Sequence, residues 1–299
     1  MREMRPRKSC HYICVCQKKK LIRYSAGGIY STSNDLAKLG RAILSNTLLC
    51  PAQTRRWMKP VTHTASLTSS VGAPWEIFRV QNSRGVVDLY TKAGDVGVYS
   101  SLLVLVPDYD IGWVVLSAAD SSGTASTGSR VIADSIAETF IPAFEAAAKD
   151  SAAVTFSGTY KATNGLNSSI AIVTDDSPGL GIHSWISNGT DVLANYLAFN
   201  GLADARFNAN ARLYPTNLFQ DSPKEQAFRA VFEVLPKNAT ASSSGSGGVF
   251  SSSCFTWMSM DGISYGNVAA DDFLFHFDEY GSVVSLEPRM FRVALRKVV

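Results

Sequence analysis

Residues 86–117 read VVDLYTKAGDVGVYSSLLVLVPDYDIGWVVLS. Runs rich in valine, leucine and tyrosine occupy positions 86–91, 99–106 and 111–117, and Pro107-Asp108-Tyr109-Asp110 separates the last two. Runs of this kind, bounded by Gly, Pro and Asp, are typical of strands joined by tight turns. The segment therefore predicts three consecutive strands of one sheet.

Helices are predicted before and after these strands in the sequence. Before them, Ser33 or Asn34 is expected to cap a helix. Asp35 lies in the first turn of this helix, where its negative charge interacts favourably with the helix dipole. After them, the small residues at 122–128 predict a loop that leads into a second helix. The apolar residues that share one face of each helix are Leu36, Leu39, Ile43 and Leu44 in the first, and Ile132, Ile136, Phe140 and Phe144 in the second.

The pattern changes near Lys149. Residues 150–299 hold short alternating apolar runs broken by Gly, Pro, Asn and Ser, with no long helical pattern. Many short strands with regular turn signals favour an antiparallel barrel or sandwich. We therefore divide the chain into an atypical, disordered N-terminus (1–24), a mixed α/β (α+β) domain (25–149) and a β-barrel-like domain (150–299).

Composition excludes several function classes. The net charge of +3 comes largely from the first 23 residues, so a folded basic face for nucleic acid is not expected. Apolar runs are shorter than the roughly 18–20 residues of a membrane helix. The five cysteines and four histidines show no metal-ligand spacing. We expect no cofactor, no metal, no nucleic acid and no membrane partner, and the sequence gives no oligomeric state.

Two groups of motifs resemble the serine β-lactamase-like superfamily of class C β-lactamases, penicillin-binding proteins and related esterases. The first is Ala26-Gly27-Gly28-Ile29-Tyr30-Ser31-Thr32-Ser33-Asn34-Asp35-Leu36-Ala37, and the second is Lys92-Ala93-Gly94 with the strand that follows it. Gly158-Thr159-Tyr160, Pro178-Gly179-Leu180 and residues 257–266 resemble the lipocalin-like C-terminal domain of fungal members. The resemblance implies a partial β-lactamase/transpeptidase-like domain with helices packed on an antiparallel sheet, followed by a lipocalin-like barrel.

The resemblance also implies a cleft wall on the Lys92 strand. Lys92 adds positive potential, Gly94 leaves room for substrate along the strand, and the backbone N–H of Asp95 supplies half of an oxyanion hole. Ala93 stands where the family has Thr or Ser, which removes a hydrogen bond to a substrate carboxylate. The implied partner is a small-molecule acyl substrate or ligand.

The family nucleophile is missing from these residues. Its Ser-x-x-Lys motif requires a serine three residues before a lysine, and none of the lysines here has one. The family also has a Tyr-x-Asn or Ser-x-Asn motif, which precedes the lysine strand. Tyr265-Gly266-Asn267 follows Lys92 instead, so we interpret its match to this motif as chance. Ser100 and Ser101 have no adjacent base in the sequence. No confirmed catalytic residue is therefore predicted.

Three interpretations remain open. The chain is a truncated, inactive serine hydrolase by descent, a non-catalytic binding module that uses the barrel, or a non-functional product that folds poorly. We favour the first.

The sequence shows no signal peptide, yet Asn167, Asn188 and Asn238 are N-glycosylation sequons. Family and sequons together indicate a secreted fungal glycoprotein whose natural N-terminus differs from Met1.

Overall fold

The computed structural model describes residues 27–82, 85–201, 207–216, 224–236 and 259–298. The predicted atypical N-terminus and the Asn238 sequon lie outside these ranges. The fold class is confirmed: helices pack on an antiparallel sheet in the first part of the chain, and the second part is an antiparallel barrel.

The first sheet is a meander in which each strand pairs with its neighbour in sequence. Its strands are β1 (Thr62–His63), β2 (Ser69–Val71), β3 (Glu76–Asn82), β4 (Gly85–Val96), β5 (Tyr99–Val106) and β6 (Ile111–Ala118). The three strands predicted between residues 86 and 117 correspond to β4, β5 and β6. The predicted turn is a short 3-10 segment, Pro107–Tyr109, that Asp110 ends in a left-handed conformation with φ of 55°.

Helices cover both faces of this sheet. Helices α1 (Ser33–Leu44) and α2 (Pro51–Trp57) lie on one face, where Ile43 and Met58 pack with Leu105. The prediction of Ser33 or Asn34 as the N-cap of α1 is wrong. Thr32 is the cap, because its backbone is extended and its hydroxyl accepts a hydrogen bond of 3.2 Å from the Asp35 N–H.

Helix α3 (Ser122–Phe156) covers the opposite face. The prediction of a loop over residues 122–128 is wrong, because the helix already begins at Ser122. The small residues allow its first turns to approach the sheet closely: Ala125 and Ser129 are buried, and the Ser129 hydroxyl lies 2.9 Å from that of Ser100.

The strands of the second sheet are β7 (Gly158–Lys161), β8 (Ser169–Val173), β9 (Leu180–Ser187), β11 (Phe207–Pro215), β12 (Glu225–Pro236), β15 (Asp272–Phe277), β16 (Val283–Pro288) and β17 (Leu295–Val298). This sheet closes on itself into a barrel in the order β9, β11, β12, β15, β16, β17, β7, β8 and back to β9. The pairing of β8 with β9 completes the ring. Short strand β10 (Thr190–Asp191) adds to β9, helix α4 (Val192–Phe199) follows, and β13 (Ser264–Tyr265) with β14 (Val268–Ala269) forms a separate hairpin.

Side chains fill the interior of the barrel. Trp185, Phe273 and Phe275 are almost completely buried there, and the Trp185 and Phe273 rings meet edge to face at 5.1 Å. Small eight-stranded barrels are just wide enough for such filling. This interior is therefore a hydrophobic core.

Helix α3 connects the two parts of the fold. Its last residue, Phe156, belongs to the barrel core, and its ring centroid lies 4.9 Å from that of Phe275 and 5.3 Å from that of Phe228. Lys297 on β17 donates a hydrogen bond of 2.8 Å to the Thr155 carbonyl. One end of the helix is thus packed on the sheet and the other is held in the barrel.

Candidate functional site

The end of β4 that carries Lys92 forms an open sheet edge. Strand β3 begins at Glu76, whose partner on β4 is Thr91, while Lys92–Val96 pairs only with β5 among the described residues. In an antiparallel strand, alternate residues direct their backbone N–H and C=O groups to opposite sides. The Ala93 N–H faces the open side, and the Asp95 N–H, two residues further on, faces the same way. Backbone donors on this stretch thus point away from β5, toward the side where a ligand could meet them.

The carboxylate of Glu76 occupies part of that edge. One of its oxygens lies 2.5 Å from the Lys92 ammonium, and the other accepts a hydrogen bond of 3.3 Å from the Ala93 N–H. The ammonium also donates a hydrogen bond of 2.8 Å to the Ala93 carbonyl. Lys92 and Glu76 side chains are 44% and 43% exposed. The edge therefore already holds a carboxylate, in a position that solvent and a competing anion can reach.

Buried aromatic residues fix the position of Glu76. Its neighbour Trp75 is buried, packs edge to face with Tyr90 on β4 and lies 5.0 Å from the Trp57 ring. The indole N–H of Trp57 donates a hydrogen bond of 2.7 Å to the Ala73 carbonyl. The chain before β3 is thus anchored to α2 on one face of the sheet. Sequence reasoning missed Glu76, because its role depends on the register between β3 and β4.

The other residues of the predicted cleft wall lie on the same stretch of β4. Gly94 is opposite Ser101, whose hydroxyl donates a hydrogen bond of 3.0 Å to the Gly94 carbonyl. A Cβ atom at position 94 would lie 2.9 Å from that hydroxyl oxygen. Any larger residue at position 94 would therefore displace the Ser101 side chain before it affected a ligand.

The serines considered as nucleophiles have structural hydrogen bonds. Ser101 bonds to Gly94, and buried Ser100 bonds to Ser129. A contact that the sequence did not indicate joins the Ser70 hydroxyl to Nδ1 of His63 at 3.0 Å, between β1 and β2. A serine beside an imidazole is the arrangement of an activated nucleophile. Ser70 is buried, however, and no carboxylate of the described residues bonds to His63.

Tyr265, Gly266 and Asn267 belong to the separate hairpin of β13 and β14 and not to the sheet that contains β4. Gly266 and Asn267 have φ values of 57° and 62°, as a two-residue turn between β13 and β14 requires. The conformation of the turn therefore explains why glycine and asparagine occupy these two positions.

Two of the three sequons are close together on the barrel surface. Asn167 and Asn188 are both exposed, and the Gly189 N–H donates a hydrogen bond of 2.7 Å to the Asn167 carbonyl. Throughout the described ranges, no three His, Cys, Asp or Glu side chains are grouped as ligands for a metal ion. A search of the same ranges finds no helix with the length and apolar character needed to cross a membrane.

Comparison with known proteins accounts for both parts of the chain. A family described as "Beta-lactamase-like-like, C-terminal domain" matches residues 148–299, just over half of the chain, and the family described as "Beta-lactamase" matches residues 4–136. The chain belongs to the beta-lactamase-like family. The match over residues 4–136 contains the first sheet, α1, α2 and the start of α3, and the match over residues 148–299 contains the barrel. The family resemblance inferred from the sequence motifs is confirmed.

Individual beta-lactamase-like relatives are longer than this chain. "Beta-lactamase-like protein" of Arthroderma benhamiae is 30% identical over 87% of this chain and 47% of its own length. "Probable hydrolase clz13" of Cochliobolus lunatus is 31% identical over 56% of this chain and 27% of its own. A solved octameric penicillin-binding protein homologue from Pyrococcus abyssi covers 90% of this chain and 47% of its own, at 14% identity and a TM-score of 0.29, which is too low to support an inference. The chain thus spans less than half of each of these three proteins.

Proposed function

We propose that this chain contributes the substrate-binding edge strand of a beta-lactamase-like acyl hydrolase and does not itself form an acyl-enzyme. The observation that supports the proposal most is the open edge of β4, where the Lys92 ammonium and the Ala93 N–H already hold the carboxylate of Glu76. A carboxylate or the oxyanion of an acyl group would meet the same donors. The Asp95 N–H, on the same edge, is the candidate half of an oxyanion hole.

The proposed absence of acylation follows from the residue types. Acyl transfer in this family needs a serine activated by the lysine of Ser-x-x-Lys, and the 299 residues contain no such motif. Among the described residues, the Lys92 ammonium bonds to Glu76 and to the Ala93 carbonyl and to no serine hydroxyl. Binding and chemistry are therefore separable in this chain, and each can be measured on its own.

Acylation is tested with two reagents. Purified protein is incubated with a fluorophosphonate probe or with benzylpenicillin, and its intact mass is recorded. We expect an unchanged mass from protein whose fold is verified by circular dichroism, while a penicillin-binding protein treated in parallel, whose acyl-enzyme hydrolyses slowly, gains one benzylpenicilloyl group. A stoichiometric adduct on one serine would contradict the proposal. Peptide mapping would then begin at Ser70, because His63 lies beside it, and Ser70→Ala would check the assignment.

Binding at the edge is tested by removing the internal carboxylate. We expect Glu76→Gln to tighten the binding of benzylpenicillin, because the neutral amide oxygen competes less strongly than a carboxylate for Lys92 and the Ala93 N–H. Exposed ion pairs contribute up to ~1 kcal/mol, so the dissociation constant should fall about two- to fivefold. Isothermal titration calorimetry measures the change.

The control for this prediction is a second ion pair on the same sheet. Arg79 donates a hydrogen bond of 2.9 Å to Asp88, and its side chain is 42% exposed, close to the exposure of Lys92. Lys92→Met added to Glu76→Gln should reverse the gain in affinity, while Arg79→Met should leave it intact. If Lys92→Met and Arg79→Met changed the affinity equally, binding would not involve the β4 edge.

A non-catalytic binding module is the second candidate function. The barrel interior is filled by Trp185, Phe273, Phe275 and their neighbours, so a ligand of this chain would bind outside the barrel. A cavity between the barrel and the sheet is the observation that favours this candidate. Secretion and glycosylation at Asn167 and Asn188 stay predictions; the exposure of both side chains is compatible with modification.

A further inference from the structure

A cavity of about 400 Å³ lies where the sheet, α3 and the barrel meet. It is separate from the Lys92 edge, because it adjoins the Gly85 end of β4, and the strand rise places Gly85 and Lys92 roughly 23 Å apart. Its volume is in the range of small-molecule sites. The lining residues used below are Val87, Asp108, Tyr109, Glu145, Ala148, Lys149, Phe156, Asp175, Leu180, Leu213, Tyr214 and Phe228.

The walls of the cavity are held in place. Buried Arg212 bonds to both oxygens of Asp175, at 2.9 and 2.7 Å, and to the carbonyls of Ser177, Pro178 and Gly179. These bonds fix the loop that forms the barrel side. On the other side, the Tyr109 hydroxyl donates a hydrogen bond of 2.8 Å to Glu145. A site whose walls are fixed before binding loses little conformational entropy when a ligand enters.

The floor of the cavity is apolar and its rim is acidic. Val87, Leu180, Leu213 and Phe228 are buried residues of the floor. The acidic and basic residues of the described lining are the carboxylates Asp108, Glu145 and Asp175 and the ammonium of Lys149, which lies 2.7 Å from Asp176 outside the cavity. Negative charge at the rim is thus only partly balanced.

Asp108 is the carboxylate best placed to meet a ligand. It forms no hydrogen bond or ion pair with any described residue, whereas Glu145 and Asp175 have partners. Desolvation by the surrounding protein raises the pKa of Asp108, and the charge of Asp88 raises it further against the opposing effect of Lys59. A cation bound beside Asp108 would stabilise its charged form.

Aromatic rings complete the recognition surface. Tyr109, Tyr214, Phe156 and Phe228 all line the cavity. The face of an aromatic ring attracts an ammonium group, and its area contacts an apolar ligand body. We propose that this cavity is a binding site for an organic ammonium ion, a small molecule with one protonated amine and an apolar body, whose charge Asp108 meets.

The test compares three probes on the full chain. Phenethylammonium carries the proposed charge, 2-phenylethanol replaces the amine with a hydroxyl, and phenylacetate carries the opposite charge. Isothermal titration calorimetry should show phenethylammonium binding about tenfold more tightly than the alcohol, as expected for a charge-assisted hydrogen bond, and no binding of phenylacetate. Equal affinity for amine and alcohol, or saturable binding of none of the three up to the solubility limit, would overturn the proposal.

Variants locate the site. Asp108→Asn should weaken phenethylammonium binding about tenfold and leave the alcohol unaffected. The matched control is Asp110→Asn, because Asp110 is on the same turn and exposed but does not line this cavity, and asparagine tolerates its left-handed backbone. Ala148→Phe, on the exposed face of α3, should block both probes without altering the circular dichroism spectrum. Equal effects of the two Asp→Asn changes, or none from Ala148→Phe, would place the binding elsewhere.

The outcome is independent of the hydrolase proposal. The Lys92 edge and this cavity share no lining residue. Failure of acylation or of benzylpenicillin binding therefore leaves the cavity test intact, and the reverse also holds.

Discussion

Replacing Arg212 with methionine should destabilise the protein by about 3 kcal/mol, because it leaves Asp175 without its main partner and removes donors from three backbone carbonyls. The Arg212 side chain is 7% exposed and points outward from β11 beneath the loop that contains Asp175. Methionine keeps the volume and loses every hydrogen bond. Urea unfolding at pH 7, followed by circular dichroism, measures the difference in free energy of unfolding.

The same substitution should show a defined pH dependence. Desolvation would raise the pKa of Asp175, but hydrogen bonds from Arg212 and the Ser177 N–H, with the charges of Arg212 and Lys149, outweigh it, so the pKa is lowered. A carboxyl with a lowered folded-state pKa stabilises the fold above its unfolded pKa of about 3.9, and this stability is lost as the pH falls through the folded value. The difference between wild type and Arg212→Met should therefore shrink below about pH 4.

Lys149→Met is the matched control. Lys149 forms an ion pair of 2.7 Å with Asp176 on the same loop, but the Asp176 side chain is 93% exposed. Exposed pairs contribute up to ~1 kcal/mol, so this variant should lose far less stability. Similar losses in the two variants, or a difference that persists unchanged into acid, would show that the buried network around Arg212 does not hold the loop.

Local patterns were sufficient to predict the last three strands of the first sheet. Strands β4, β5 and β6 follow one another through short turns, so apolar runs and turn residues define both the strands and their order. For the second domain, local patterns predicted only a barrel or a sandwich, and the family resemblance selected the barrel. Its closure depends on β8 pairing with β9 and β7 with β17. Local patterns do not encode which distant strands pair.

The first turns of α3 show why a composition signal failed. The small residues at 122–128 are typical of a loop when the chain is considered alone. In the fold Ala125 is buried against the sheet, where Ser117 donates a hydrogen bond of 2.9 Å to its carbonyl, while Gly123 and Thr124 are exposed. Close packing between helix and sheet, which a single sequence does not display, selects the same small residues.

The candidate site was predictable in part. Lys92, Ala93, Gly94 and Asp95 lie on one open stretch of β4, as a cleft wall requires, and their roles stay predictions. Glu76 could not have been assigned, because an acidic residue at the start of a strand has no distinctive spacing. Its contact with Lys92 depends on the pairing of Glu76 with Thr91. Long-range register therefore determines whether this edge is free or already occupied.

Replacing Phe156 with alanine should destabilise the protein by about 3 kcal/mol, near the lower end for a large aromatic side chain because Phe156 is only partly buried. Its ring meets those of Phe228, Phe275 and Phe277, at centroid distances of 5.3, 4.9 and 6.1 Å. The loss falls at the junction of α3 with the barrel. Calorimetry should show a lower unfolding temperature, and hydrogen exchange should show faster exchange of amides in the last turns of α3.

Phe140→Ala provides the comparison on the same helix. Phe140 is 50% exposed and stacks on Phe144 at 6.2 Å, away from the barrel, so its loss should cost under about 1 kcal/mol. A greater effect at Phe156, together with faster exchange confined to the barrel end of α3, is expected if this ring couples helix and barrel. Equal effects at the two positions would mean that other contacts, such as the bond from Lys297 to the Thr155 carbonyl, hold the two parts together. The cavity between sheet and barrel would then not depend on the Phe156 ring for its shape.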